Sequence, residues 1–148
     1  MPVTFTNNWK NILDKLSNIL RTEYKGAVPV YKGDSNKGGT QFIRLIPSSS
    51  SLLEYNATSE TREFVVLVQY YYSNKNIKDT ALDHIFRMVS RTEALIHDNV
   101  SMSYTNENSA TENVFNCRFE STELNTGDEE GVYLVEWEWR CQHLGNVG

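Results

Sequence analysis

The 148-residue chain has the size of one ordinary domain, and 39% hydrophobic residues exclude an intrinsically disordered protein. Its formal net charge of −5 argues against a dedicated nucleic-acid binder, which needs a basic surface to neutralise phosphates. The charge is uneven, since residues 1–50 carry seven basic and three acidic side chains and residues 51–148 carry seven and sixteen. Either basic and acidic regions of two copies face each other, or these charges are simply solvated.

The first predicted element is a helix over residues 7–21, because apolar side chains recur there at spacings of three and four. Thr6 or Asn7 can cap its start, and Gly26 lies just past its end. The other side of this helix is polar, so we expect it to pack on a flat surface by one stripe. The stripe consists of Trp9, Ile12, Leu13, Leu16, Ile19 and Leu20.

An extended segment over residues 28–31 and a loop over residues 33–40 come next. The loop is not a Walker A phosphate loop, since that motif needs lysine directly after its second glycine. Here Lys37 precedes Gly38, and Gly39 stands where the lysine belongs. Residues 41–46 then predict a short strand that ends at a proline.

Residues 47–60 form a polar stretch of serine and asparagine, which predicts a long loop. Leu52, Leu53 and Tyr55 are embedded in it. These apolar side chains either become ordered against a partner or fold back on the edge of their own domain. The sequence leaves both possibilities open.

The strongest strand signal covers residues 63–73, whose continuous apolar run is typical of a central strand. A second amphipathic helix is predicted over residues 79–98, with Thr80 and Asp83 as a capping pair. A structureless polar stretch over residues 99–113 follows it. The apolar stripe of this helix consists of Ala81, Leu82, Ile85, Phe86, Val89, Glu93 and Ile96.

The chain closes with a predicted hairpin of residues 114–124 and 132–142, joined by an acidic turn. A turn centred near Asp128 places Cys117 opposite Trp139, Phe119 opposite Trp137 and Arg118 opposite Glu138. The apolar face of this hairpin is predicted to hold Phe115, Cys117, Phe119, Val135, Trp137, Trp139 and Cys141. The other face, with Asn116, Arg118, Glu120, Glu136, Glu138 and Arg140, meets water, a partner or a lumen.

These elements predict one α+β domain over residues 1–148, a mainly antiparallel four-stranded sheet with two helices packed on one face and long loops.

We find no catalytic, cofactor-binding or metal-binding constellation. The three histidines lack metal spacing, and the two cysteines lack zinc spacing. The segment Glu138-Trp139-Arg140 resembles a nuclease strand, but arginine stands where lysine belongs. We therefore expect neither an enzyme nor a cofactor. With no long apolar run, we also expect a protein made in the cytosol and not membrane-bound.

The layout resembles the tail terminator (tail completion) proteins of long-tailed bacteriophages. The resemblance lies in pattern features along most of the chain rather than in an invariant motif. It covers the helix of residues 9–20, Pro29-Val30-Tyr31 with its Gly33-Asp34 turn, the strands 42–47 and 64–72, the helix end 93–99 and the terminal strand pair.

The resemblance implies a virion protein without catalytic residues, assembled in the host cytoplasm. It implies a homo-oligomeric ring, usually of six subunits, that ends the tail tube and joins it to connector proteins of the neck, with DNA only in passage. The loops would then contact neighbours through Lys32, Asp34, Lys37, Leu52, Leu53, Tyr55, Met102 and Tyr104. The charged strand face, with Arg118, Glu120, Glu136 and Glu138, would suit the lumen.

Two alternatives remain. The first is another neck component, namely a head-closure or head–tail adaptor protein. The second is a ligand-binding or enzymatic α+β domain of the cytosol.

Overall fold

The structure, a computed structural model, describes residues 5–33, 40–73, 78–126 and 132–146. The side chains of residues 78–80, 126 and 146 are outside this description. The elements, in chain order, are α1 (Asn8–Tyr24), β1 (Val30–Lys32), β2 (Gln41–Tyr55), β3 (Ser59–Ser73), α2 (Lys78–His97), β4 (Met102–Thr105), β5 (Thr111–Thr126) and β6 (Val132–Asn146).

These six strands form one sheet in the order β1-β2-β3-β6-β5-β4. The β1–β2 pair is parallel and the other neighbouring pairs are antiparallel. The sheet is curled into a half-barrel. The predicted four-stranded, mainly antiparallel sheet is therefore wrong. The two extra strands, β1 and β4, have three and four residues, too few to leave a clear periodic pattern in the sequence.

The predicted long loop over residues 47–60 is also wrong, because β2 and β3 form one long hairpin across it. The serines of this stretch pair with β3, for example Ser49 with Val65 and Ser50 with Phe64. Asn56 makes the turn, since its Oδ1 accepts hydrogen bonds from the backbone N–H groups of Thr58 and Ser59 at 2.9 Å. Backbone pairing thus overrides the weak strand propensity of serine.

The polar stretch over residues 99–113 likewise contains structure that we did not expect. It includes β4 and the start of β5, and a turn joins the two strands. In this turn Asn106 Oδ1 accepts from the N–H of Asn108 at 2.9 Å and from that of Ala110 at 3.0 Å. Side-chain oxygens of asparagine replace backbone acceptors in this way, which is why asparagine is frequent in turns.

Both helices lie close to their predicted positions. Asn7 caps α1, with its side chain accepting from Lys10 N at 3.2 Å. The helix ends when Lys25 and Gly26 adopt left-handed backbone conformations, with φ of 51° and 84°. Phe86 of α2 was expected in the apolar stripe but is 53% exposed. The predicted capping pair of Thr80 and Asp83 lies partly outside the described side chains.

Both helices pack on the same face of the sheet, called the helix face below. The two tryptophans of β6, Trp137 and Trp139, lie at its centre and are fully buried. Full burial of one large apolar side chain contributes roughly 1.5–3 kcal/mol, so this layer is the main source of stability. Its other principal members are Ile12, Leu16, Leu20, Ile43, Leu45, Val66, Val68, Ile85 and Val135.

The register of the β5–β6 hairpin differs from the prediction. Phe119, not Cys117, is opposite Trp139, and Arg118 is opposite Arg140. The difference begins next to the turn, where Tyr133 is opposite Thr126, whereas a turn centred near Asp128 would place it opposite Glu123. Register shifts between Phe115 and Arg118 and between Phe119 and Ser121 then change the pairing twice more. A β-bulge inserts a residue that the partner strand does not match, so it moves every later pair, and no local pattern reveals it. The first bulge also turns Phe115 opposite Gln142, away from the predicted apolar face.

Candidate functional site

The second face of the sheet, called the charged face, carries a network of three glutamates and two arginines. Glu63 is at its centre, where its carboxylate accepts from Arg140 Nη1 at 2.7 Å and from Arg118 Nη2 at 3.4 Å. Arg140 Nε donates to Glu138 at 3.1 Å, and Arg118 Nε donates to Glu120 at 2.6 Å. The network therefore joins side chains of β3, β5 and β6.

Glu63 is the least exposed member of this network, at 7%. Burial opposes its ionisation, but the hydrogen bonds from Arg140 and Arg118 outweigh burial and lower the pKa of the Glu63 carboxyl. Hydrogen bonds to Glu138 and Glu63 raise the pKa of Arg140 in turn. The Glu63 carboxylate and the Arg140 guanidinium thus stabilise each other in their charged forms.

A second polar row crosses the charged face beside this network. Arg44 Nη2 donates to Gln69 Oε1 at 2.7 Å, and Gln69 Nε2 donates to Glu136 Oε2 at 2.7 Å. The three residues are register partners on β2, β3 and β6. Gln69 bridges Arg44 and Glu136, because its amide accepts from the one and donates to the other. The row therefore fixes the orientation of Glu136 on this face.

Of the side chains named from sequence, the structure brings Arg118, Glu120 and Glu138 into one network and places Glu136 on the same face. The sequence reading did not single out Glu63, although the network is centred on it. A signal was present: one carboxylate begins an otherwise apolar central strand, and arginines occur in two neighbouring predicted strands. Recognising it requires the register of three strands, whereas the sequence analysis predicts a register only for the terminal hairpin, and that register is wrong.

The tip of the β2–β3 hairpin exposes three large apolar side chains. Leu52 and Leu53 are each 49% exposed and Tyr55 is 61% exposed. None of the three belongs to the described core, and each keeps about half or more of its surface exposed. A cluster of this kind is typical of a surface that another molecule covers.

The other predicted contact residues have different environments. Lys32 is at the end of β1, where its ammonium pairs with Asp14 of α1. Asp34 and Lys37 lie outside the described residues. Met102 is 4% exposed, and Tyr104 is half-buried against the core. The prediction that Met102 and Tyr104 lie in an interface loop is therefore wrong, because β4 turns them inward.

No group of three or more His, Cys, Asp or Glu side chains that suits a metal ion occurs in the described part of the chain. His84 Nε2 lies 3.2 Å from Tyr70 Oη and 3.3 Å from Gln41 Oε1. His143 is buried and pairs with Glu112 at 3.0 Å. These contacts hold helix and strands together, as is common for histidines in a core.

Cys117 and Cys141 are both free thiols and are buried, at 1% and 0% exposure. A hydrogen bond with Cys117 and burial both raise the pKa of the Cys141 thiol. Thiolate is the reactive form of cysteine, so the raised pKa of Cys141 disfavours nucleophilic chemistry there. The same hydrogen bond lowers the pKa of Cys117, but the burial of its thiol limits the access of a reactant.

A groove of about 430 Å³ runs between the C-terminal half of α2 and β5. Its apolar lining includes Ile96, Val100 and Phe119, and its polar lining includes Glu93, Arg118 and Thr122. Val100 is 47% exposed in it. The groove is polar and apolar in similar measure, which suits an amphipathic segment.

The chain matches no protein-family model, and it matches no curated protein. Among the described helices, neither is long and apolar enough to cross a membrane.

Proposed function

We propose that the protein is a structural subunit of a bacteriophage neck. In this proposal copies of the chain form a ring, six-fold in the family that the sequence resembles, which ends the tail tube and joins it to the head connector. The partners are further copies of the chain, the tail tube protein and the connector proteins of the neck. Its place is the virion, and no reaction is assigned to it.

The observation that carries this proposal is the exposed apolar tip of the β2–β3 hairpin. Leu52, Leu53 and Tyr55 lie at the end of the paired strands β2 and β3 rather than in a loop, and they are exposed there. Leaving three such side chains in water forfeits the free energy of their burial, roughly 1 kcal/mol or more for each. A protein whose work is association recovers that free energy at an interface.

The charged face supports the same proposal if it lines the channel of the ring. Its carboxylates outnumber its guanidinium groups, and Arg118 and Arg140 are already held by glutamates. Phosphates of passing DNA would meet repulsion and find these two arginines occupied. A structure of the oligomer with Glu136 and Glu138 far from the channel axis would overturn this part of the proposal.

One observation favours a second candidate, a ligand-binding or enzymatic domain. The groove beside α2 has the volume of a small-molecule site. However, no group of three or more metal-binding side chains occurs among the described residues, and the thiol in the lining of the groove, that of Cys117, is itself buried. We therefore prefer a protein segment as its occupant.

The proposal is tested by the mass of the purified protein in solution and by its presence in purified virus particles. We expect a multimer in solution and the protein in the particles. If the gene is inactivated, overlong tail tubes indicate a terminator. Separate heads and tails of normal length indicate an adaptor or closure protein instead. A strictly monomeric protein that is absent from particles contradicts the assembly role altogether.

A further inference from the structure

The sheet leaves two long strand edges without a partner strand in the described chain. On one side, β1 pairs with β2 only over residues 43–45, so no described strand pairs with the outer edge of residues 46–55. On the other side, β4 covers β5 only over residues 111–114. Cys117 N donates to Val100 O at 2.9 Å, and beyond it no described strand pairs with the outer edge of residues 118–126. Unpaired N–H and C=O groups along an edge are a template for another strand.

The two edges match each other in direction. Between them the strands run in the order β2-β3-β6-β5, and each neighbouring pair is antiparallel. The strands β2 and β5 therefore run in opposite directions. A second copy in the same orientation presents its β2 antiparallel to β5 of the first copy, with both helix faces on the same side. The sheet then continues from copy to copy, which is the head-to-tail contact that builds a ring.

The groove beside α2 matches the side chains that such a strand would bring. Leu52 and Tyr55 pair in register with Arg62 and Glu60 of β3, which places them on the helix face of their own sheet. A strand added at β5 directs its helix-face side chains into the space below α2. That space is the groove lined by Ile96, Val100 and Phe119. Two exposed apolar side chains and one open groove are thus brought together.

We propose that residues 48–55 of β2 pair antiparallel with residues 118–126 of β5 from a second copy, with Leu52 and Tyr55 filling the groove beside α2. This inference rests on the proposed function only in requiring that copies of the chain associate. Charge favours it over pairing of β5 with itself. Glu120 and Glu123 are exposed on β5, so two such edges would repel, whereas residues 48–53 carry no charge.

Avoiding pairs of like charge also restricts the register between residues 48–55 and the β5 edge of the second copy. Pro47 has no N–H group to donate, and β2 has register shifts between Pro47 and Ser49 and between Leu52 and Glu54. Placing Leu52 opposite Thr122 pairs Ser51 with Glu123. After the second shift, Glu54 lies opposite Ser121 rather than opposite a glutamate. This register is therefore the one that we test.

The experiment uses the full chain with Ser51→Cys and Glu123→Cys combined, under mild oxidation or with a short bis-maleimide. Both positions are exposed, whereas the native thiols are buried. Antiparallel partners have Cα atoms about 4.5–5.5 Å apart, within the range that a disulfide spans. We expect a ladder of covalent multimers from the double variant. A mixture of the two single variants should give dimers only, and the wild-type chain should give none.

The other outcomes distinguish this inference from the proposed function. If the protein is multimeric but the double variant gives no covalent multimers, the proposed edge contact is wrong. The proposed role in the neck is not contradicted by that result. If either single variant alone gives dimers, two identical edges meet and the head-to-tail arrangement is wrong. A protein that is monomeric at all concentrations overturns both.

A second variant tests the groove without cross-linking. Because Leu52 is half-exposed, Leu52→Ser should leave the fold intact, as judged by circular dichroism and thermal unfolding. It should raise the concentration at half-assembly by about tenfold, as expected for one buried leucine. Leu144→Ser is the matched control, because Leu144 is 57% exposed and pairs with Thr61 on the charged face. Equal effects of the two variants contradict the proposed occupant of the groove.

Discussion

Arg140 donates from Nη1 to Oε1 of Glu63 at 2.7 Å, and this bond links β6 to β3 on the charged face. Glu63 is one of the few charged side chains that the described fold buries, and Arg118 reaches it from β5. Three neighbouring strands are thus held by one carboxylate. Such a contact restricts the register of the strands, because a shift of one residue would turn Glu63 to the helix face.

Replacing Glu63 with glutamine should destabilise the protein more than the same change elsewhere in the network. Glu63→Gln removes the charge that both arginines share, and hydrogen bonds to a charged group contribute about 1.5–3 kcal/mol each. Because both arginines remain partly exposed, we expect a total loss of about 1–3 kcal/mol in urea unfolding at neutral pH. Glu120→Gln is the control, since Glu120 is exposed and Arg118 is its one ion-pair partner among the described residues. Equal losses from the two variants would contradict the central role of Glu63.

The stability of the protein should fall in acid partly through the same carboxyl. The pKa of Glu63 is lowered in the fold, so its carboxylate stabilises the folded state above the ordinary glutamate value of about 4.3. That contribution is lost as the pH falls below this value and through the lower pKa of the folded state. Unfolding free energies measured from pH 7 to pH 3 should therefore fall less steeply for Glu63→Gln than for the wild type. Identical slopes would show that Glu63 contributes nothing to the acid sensitivity.

Asn56 should determine how firmly the hairpin tip is held. Its Oδ1 accepts from two backbone N–H groups at 2.9 Å and from the hydroxyls of Thr58 and Ser59 at 3.1 and 3.2 Å. Asn56→Ala should cost about 0.5–1.5 kcal/mol and speed amide exchange in residues 50–62, with little change near Trp137. Asn113→Ala, at an exposed asparagine of β5, should do neither. Unchanged exchange at the tip would mean that strand pairing alone holds it.

The two cysteines should be inert in the native protein. Cys117 and Cys141 are buried, and the pKa of Cys141 is raised. Iodoacetamide at pH 7.5 should therefore add no mass to the folded protein over hours, whereas both thiols should react in guanidinium chloride. The measurement is intact-protein mass spectrometry. Rapid modification without denaturant would show that the β5–β6 edge opens readily.

The helices were predictable because their signal is local. Apolar spacing placed the first helix at residues 7–21 and the second at residues 79–98, and the structure has them at Asn8–Tyr24 and Lys78–His97. The asparagine cap was predictable for the same reason, since a cap acts on the turn directly after it. The long central strand was also recognised, because β-branched and aromatic residues are concentrated there.

The sequence by itself determined the two amphipathic helices, the apolar central strands and the alternation of charge and tryptophan along β6. Each of these depends on side-chain period within one element. Only the tertiary structure decided that serine-rich residues 47–55 form a strand, that β4 turns Met102 inward, and that Glu63 meets two arginines. These features depend on backbone pairing and bulges between segments far apart in the chain. Strand pairing stabilises the fold through the sum of many backbone hydrogen bonds, to which each residue contributes little. No local pattern of side chains therefore encodes it.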